Sequence, residues 1–275
     1  MKTSVKPLCV FERLFYFLIC VTLLLACSSN EASPGSEPDP VIVEEEEKED
    51  VFSVVKLNLR VHIMTDIVMT HTTGVVMEPW VTPTEVESII IPEVNEIWGQ
   101  AGVEWVIESI IEEDVVKGDG YQSSINFLIN TSRNENGNSD PDRLPHLFSL
   151  MQPEHMSEEA ELGKNLFHIY LFPFIGNTSQ GNAMKGFNNH SVVGTWTNKH
   201  NGGGAPEKTL LTENQSAFER GSLSRTIAHE IGHVLTLSHN ECSYGCLMGG
   251  TTSDGYVLSD DQKIQARIEA YNRSI

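Results

Sequence analysis

Residues 51–275 predict an α+β fold in which a sheet is flanked by helices, and three stretches carry that reading. Leu57, Leu59, Val61 and Ile63 alternate with Lys56, Asn58, Arg60 and His62, the period of a half-buried strand. Thr82-Pro83-Thr84-Glu85 is a capping box with proline at the first helical position, and Val86, Ile90, Val94 and Trp98 follow at one-turn spacing. One short turn later Val103, Trp105 and Ile107 alternate with Glu104 and Glu108. Strand, helix and strand in that order predict a right-handed parallel crossover. A hydrophobic content of 40% is enough for a real core, and no internal repeat is visible.

The chain begins with an address. Lys2, Lys6 and Arg13 precede an apolar run from Leu14 to Ala26, too short for a mature membrane-spanning helix, which reads as a secretory signal. Leu24-Leu25-Ala26-Cys27 resembles the lipobox of bacterial lipoproteins. That resemblance implies a lipoprotein signal peptide over residues 1–26 and acylation of Cys27. It places the secreted chain in the bacterial cell envelope, anchored through lipid to the outer membrane or cell surface. Residues 27–50, rich in Ser, Pro and Glu and ending in the acidic run Glu44 to Asp50, hold too little apolar surface to pack and form an acidic flexible tether. The formal net charge of -20 argues against nucleic acid as a partner. Of five cysteines, Cys9 and Cys20 leave with the signal and Cys27 carries lipid. Cys242 and Cys246 remain, an even pair that an oxidising envelope would join as a disulfide.

Further along, Pro92 should kink or divide the first helix, and His62, on the polar face of its strand, is expected at the surface. Ile125 to Ile129 reads as another strand. Asn134, Asn136, Asn138, Asp140 and Asp142 recur at every second position and could ligate calcium, although the EF-hand spacing is not met and a solvated loop is the competing reading. Leu166 to Phe174 is dense enough in apolar residues for a buried central strand, with His168 a satisfied core histidine. Gly181 to Phe187 and Ser191 to Thr195 are two short strand candidates, with His190 and His200 in loops nearby. Asn201 to Gly204 is a surface loop. After it Ser222 can cap a helix, and Ser259-Asp260-Asp261-Gln262 opens a last one with Ile264, Ile268 and Tyr271 on the face expected to dock.

The stretch that asks for a specific chemistry is His229-Glu230-Ile231-Gly232-His233, followed by His239. On a helix His229 and His233 stand one turn apart, so both imidazoles can reach one tetrahedral metal, while Ile227, Ile231, Val234 and Leu235 gather on the opposite side to pack. Three neutral histidines leave the full charge on zinc and lower the pKa of a water in its open position toward ~7. Glu230, beside the first histidine, is placed to take that water's proton as general base and pass it to a leaving amine. A turn near Thr236–Ser238 is needed to bring His239 round.

These residues resemble the metzincin signature H-E-x-x-H-x-x-G-x-x-H, and Cys246-Leu247-Met248-Gly249 is similar to the Met-turn that accompanies it. The resemblance implies a twisted mixed β-sheet with flanking helices, an active-site helix, a Met-turn and a small C-terminal helical lobe. It implies His229, His233 and His239 as zinc ligands, Glu230 as catalytic base, and Met248 as the apolar floor beneath the ligands. By chain order it also implies a substrate-binding edge strand carrying Gly181, Ala183 and Gly186, able to add an extended protein or peptide substrate to the sheet. One position departs from the pattern: Thr236 stands where the family has glycine. A β-branched residue with positive φ costs about 1–2 kcal/mol, so either the helix ends differently or strain is carried there. Asp254 competes with His239 as third ligand, because Gly250 to Tyr256 is similar to an element of the Asp-zincins. The function so implied is a zinc metalloendopeptidase hydrolysing amide bonds with metal-activated water. Its rival is a catalytically inactive, metal-containing surface binding lipoprotein, and Thr236 is what gives the rival weight.

Overall fold

The computed structural model describes residues 53–130, 143–156, 165–176, 181–183, 189–198, 204–211, 222–239, 245–249 and 255–274. The signal and tether, the candidate calcium loop at 131–142, Gly186, His200, Cys242 and Asp254 lie outside them.

The first strand, β1 (Val55–Thr65), is followed by a small antiparallel pair, β2 (Met69–Thr70) and β3 (Val76–Met77). The expected capping box then opens α1 (Pro83–Glu85), with Thr82 and Glu85 bonding reciprocally. Pro92 does not break the run that follows. Val86–Ile90 widen into a π-turn, Ile91 N–H reaching back to Val86 O, and the helix resumes as α2 (Ile91–Trp98). A wide turn in that place absorbs the hydrogen bond and the space that proline disturbs. Gly102, at φ 64°, ends the helix in the left-handed region, and β4 (Val103–Asp114) pairs parallel with β1 from Val55↔Val103 to Thr65↔Asp114.

Three helices follow: α3 (Tyr121–Asn130), α4 (Arg143–Phe148) and α5 (Pro153–Met156). The stretch Ile125–Ile129 is thus helical and not a strand. Ile125, Leu128 and Ile129 fall at one-turn spacing and are buried, so a short apolar run that satisfies both periods is decided by packing. Next come β5 (Leu166–Phe172), β6 (Gly181–Ala183), β7 (His190–Gly194), β8 (Trp196–Thr197) and β9 (Glu207–Lys208). The main sheet runs β4-β1-β5-β7-β6, parallel throughout except for the antiparallel edge strand β6, while β8 and β9 pair separately. The chain closes with α6 (Leu223–Val234) and α7 (Asp260–Ser274). The architecture is a mixed α+β one.

The sheet is covered on both faces. Leu57, Leu59, Val61 and Ile63 of β1 and Phe167, Ile169 and Leu171 of β5 pack toward α2, α6 and α7, with Trp98, Trp105 and Phe167 in edge-to-face contact. The alternate residues, Met64, Tyr170, Phe172 and Val192, pack toward α3 and α4. This second layer overturns the surface expectation for His62, which is fully buried: from Val61 to Met64 both faces of β1 are buried. His190, expected in a loop, is the first residue of β7 and is buried as well. His168 is buried, as expected of a core histidine, and bonds His62 through Nδ1, although its Nε2 has no hydrogen-bond partner.

The docking face of α7 also differs from expectation. Its capping box, Ser259 with Gln262, forms, but Ile264, Ile268 and Tyr271 are exposed and the face turned inward is Gln262, Ala266 and Ala270. Small side chains let the helix lie close to the sheet, and Arg267 and Arg273 fasten it by bonds to the carbonyls of Gly102 (3.0 Å) and Val234 (3.1 Å).

Candidate metal centre

Helix α6 begins at Ser222, whose hydroxyl accepts from Arg225 N, and buries Ile227, Ile231, Val234 and Leu235 against the core. The same rotation turns His229 and His233 outward. The helix ends in a Schellman pair of bonds, Leu237 N–H to Gly232 O at 2.9 Å and Thr236 N–H to His233 O at 3.0 Å. That motif needs a left-handed residue between helix and exit, and Thr236 supplies it at φ 65°. Strain is therefore carried: a β-branched residue sits in the left-handed position of this helix ending.

The turn delivers His239 to the other two histidines. Its Nε2 lies 3.0 Å from His229 Nε2 and 2.8 Å from His233 Nε2. The opposite ring nitrogens are tied to backbone carbonyls: His229 Nδ1 donates to Leu247 O at 2.6 Å and His233 Nδ1 to Leu237 O at 2.9 Å. A carbonyl only accepts, so both Nδ1 atoms carry the ring proton and both Nε2 atoms turn bare lone pairs toward His239. Any proton on His239 Nε2 can serve one of them, which leaves nitrogen facing nitrogen. Burial first, and then the neighbouring His233, hold His229 well below the ordinary imidazole range, which disfavours a second proton on that ring.

A cation does relieve it. Tetrahedral zinc with bonds of about 2.0–2.1 Å sets its ligand nitrogens about 3.4 Å apart, so the three rings need only a small outward movement to hold one. Fixing Nδ1 on a carbonyl while Nε2 faces the metal is the usual orientation of a ligating histidine. His239 is exposed and the other two are half-buried, so the position between them opens to solvent.

Leu247 and Met248 form the turn beneath. Met248 lies against the backbone of α6: a Cβ at Gly232 would run into its sulfur. Arg225 reaches from the helix to Gly255 O (2.8 Å) and Leu247 O (3.4 Å), so the carbonyl that orients His229 is itself held by the helix. Cys246, just before that turn, is disulfide-bonded, while Cys242 lies outside the described residues. Glu230 is 6% exposed, and its carboxylate rests over Gly181 in β6, where a Cβ would overlap it. Of the edge-strand residues, Gly181 and Ala183 thus lie in a strand beside the histidines' helix, and Gly186 is outside the described residues.

The carbonyls of Leu237 and Leu247 and the guanidinium of Arg225 were not legible as site groups. The carbonyls belong to the backbone and carry no residue signature, and Arg225 offered only its place one turn before His229.

No protein-family model matches the sequence, and no curated protein matches it. Among solved structures, the chain is similar to a zinc-dependent peptidase from Methanocorpusculum labreanum, with a TM-score of 0.38 and 13% identity over 76% of this chain and 99% of that one. The chemistry therefore rests on the site's own residues.

Proposed function

We propose that this chain is a zinc-dependent endopeptidase of metzincin type, anchored by lipid on Cys27 in the bacterial cell envelope, with residues 51–275 as its catalytic domain. The observation that carries the reading is the convergence of three imidazole Nε2 atoms, two of them oriented by carbonyls, one residue away from a nearly buried glutamate. His229, His233 and His239 would hold the zinc. When bound, zinc supplies Lewis acidity at an open coordination position.

The protein's own groups do the rest. Glu230 takes a proton from the attacking water and returns it to the departing amine, and its placement against a glycine backbone limits where its carboxylate can swing. Strand β6, antiparallel and last in the sheet among the described residues, is where an extended peptide would pair. Main-chain pairing selects for an extended chain and not for particular side chains, so the substrate class is unfolded protein or peptide. A purely structural metal has no use for Glu230, and that separates this reading from the inactive binding lipoprotein.

The test is to prepare the full chain and its Glu230→Ala variant, measure zinc by elemental analysis, and follow cleavage of an unstructured protein. The expected result is one zinc at this site in both, with cleavage lowered by about 10²-fold or more in the variant. Zinc in both with no cleavage by either, across several substrates, would overturn the enzyme and favour the binding lipoprotein. Mass spectrometry of the membrane fraction tests acylation of Cys27 separately.

A further inference from the structure

A second group of metal-ligating side chains lies on the opposite face of the sheet. His62 of β1, Glu113 of β4 and His155 of α5 bring one ligand atom each to within 4.8 Å of one another. His62 Nδ1 is 2.8 Å from Glu113 Oε2, and His155 Nε2 is 3.8 Å from the same oxygen. His62 is fully buried and the Glu113 side chain is 3% exposed, while His155 closes the outer side at 22%. We propose that these three residues hold a second divalent transition-metal ion, with zinc as the first candidate.

The charge balance of the triad argues for a cation. Glu113 faces His62 and His155, which carry charge only when protonated, and no lysine or arginine among the described residues pairs with it. A carboxylate buried between imidazoles is costly unless positive charge meets it. The donor set decides which cation. Two imidazoles with one carboxylate suit zinc and its neighbours, whereas calcium and magnesium call for oxygen ligands throughout. Separations of 2.8 and 3.8 Å bracket the spacing of about 3–3.5 Å expected of ligands around such an ion.

The surroundings are arranged as those of a metal site are. Glu113 Oε1 accepts Gln152 N–H at 2.9 Å, which aims Oε2 at the two histidines. His62 Nε2 meets His168 Nδ1 at 3.0 Å, and the Tyr170 ring stacks on His62 at 4.2 Å, so the imidazole has one orientation. The rival arrangement is a proton-bridged chain, Glu113–His62–His168. That chain has no exit, since His168 Nε2 is buried with no hydrogen-bond partner. A dead-ended relay moves no proton, whereas a metal clip has a plain structural use: it pins the short helix α5 to the ends of β1 and β4.

The site is independent of the proposed peptidase activity and is tested by counting. The full chain is stripped with chelator, dialysed against zinc alone and analysed for zinc per chain. The expected values are two for the wild type, one for Glu113→Gln, one for His155→Ala, one for His239→Ala and none for His239→Ala combined with Glu113→Gln. Glu113→Gln keeps the shape and the bond from Gln152, and His155 lies in a short outer helix, so neither change asks the core to rebuild. Circular dichroism of each variant confirms the fold. In the His239→Ala background zinc should still raise the melting temperature, and adding Glu113→Gln should abolish that rise. A wild type that holds one zinc, lost in His239→Ala and kept in Glu113→Gln, overturns the second site and leaves the first intact. One zinc that follows Glu113 and not His239 supports the second site and defeats the first.

Discussion

Replacing Thr236 with glycine and with valine measures the strain at the helix exit. Thr236 sits at φ 65°, where a residue with a Cβ costs about 1–2 kcal/mol. Its side chain returns little of that: Oγ1 accepts one exposed bond from Gln265 Nε2 at 3.2 Å, worth about 0.5 kcal/mol. The shorter bond from the same nitrogen, 2.9 Å, goes to the backbone carbonyl and survives substitution. Glycine removes the strain and adds about 0.4–1 kcal/mol of unfolded-state entropy. Valine loses the hydroxyl and keeps the strain. The glycine variant should therefore exceed the valine variant by about 1 kcal/mol, or about 2–4 °C in Tm for a domain of this size. The assay is thermal and urea unfolding of chelated protein, with zinc content measured in parallel. Zinc should be unchanged in the glycine variant, because both Schellman bonds are made by backbone. Equal stability of the two variants, or a more stable valine form, would refute a strained turn.

Two further perturbations read other parts of the molecule. Gly181→Ala places a methyl group against the Glu230 carboxylate; a displacement near 1 Å should lower kcat/KM by about 10²-fold with zinc retained, and unchanged kinetics would mean that Glu230 does not act from this position. Glu108 is held at about 2, below the ordinary 4.5, chiefly by its bond to Arg60, against the opposing effect of burial. A carboxylate lowered in the folded state stabilises above its unfolded value and loses that stability as pH falls toward 2. Glu108→Gln should flatten the loss of stability between pH 5 and 2, by less than about 1 kcal/mol because the pair is partly exposed, and an unaltered acid profile would set the pair's contribution to zero.

The histidine spacing and the capping boxes at Thr82 and Ser259 were readable in the sequence because each depends on neighbours a few residues away, and the parallel pairing of β1 with β4 followed from the strand, helix, strand order; the edge strand at Gly181 came only from the resemblance, by chain order. What was misread depended on a second layer. The alternation of β1 assigns His62 to water only if one face of the sheet is bare, and α3 and α4 cover that face. In α7 the longer apolar residues made the better pattern, yet Ala266 and Ala270 allowed the closer approach and won the inner face. Ile125 to Ile129 fits two periods at once, and only its partners decide between them. The Thr236 anomaly was legible as a conflict between residue and motif, but not which side would yield.

An edge strand with unpaired main-chain groups invites association, and proteins commonly blunt such edges with charge, proline or a covering element. The described residues of β6 are Gly181, Asn182 and Ala183, none of them charged, and within the main sheet they pair with β7 on one side alone. Gly181 has a specific reason to lack a side chain: any Cβ there would displace Glu230. The same residue thus lets the backbone close on the glutamate. If, as proposed, an extended peptide adds along β6, it passes beside Glu230, whose carboxylate lies against Gly181. On the proposed function, substitutions in β6 should alter KM for long peptides more than for short ones.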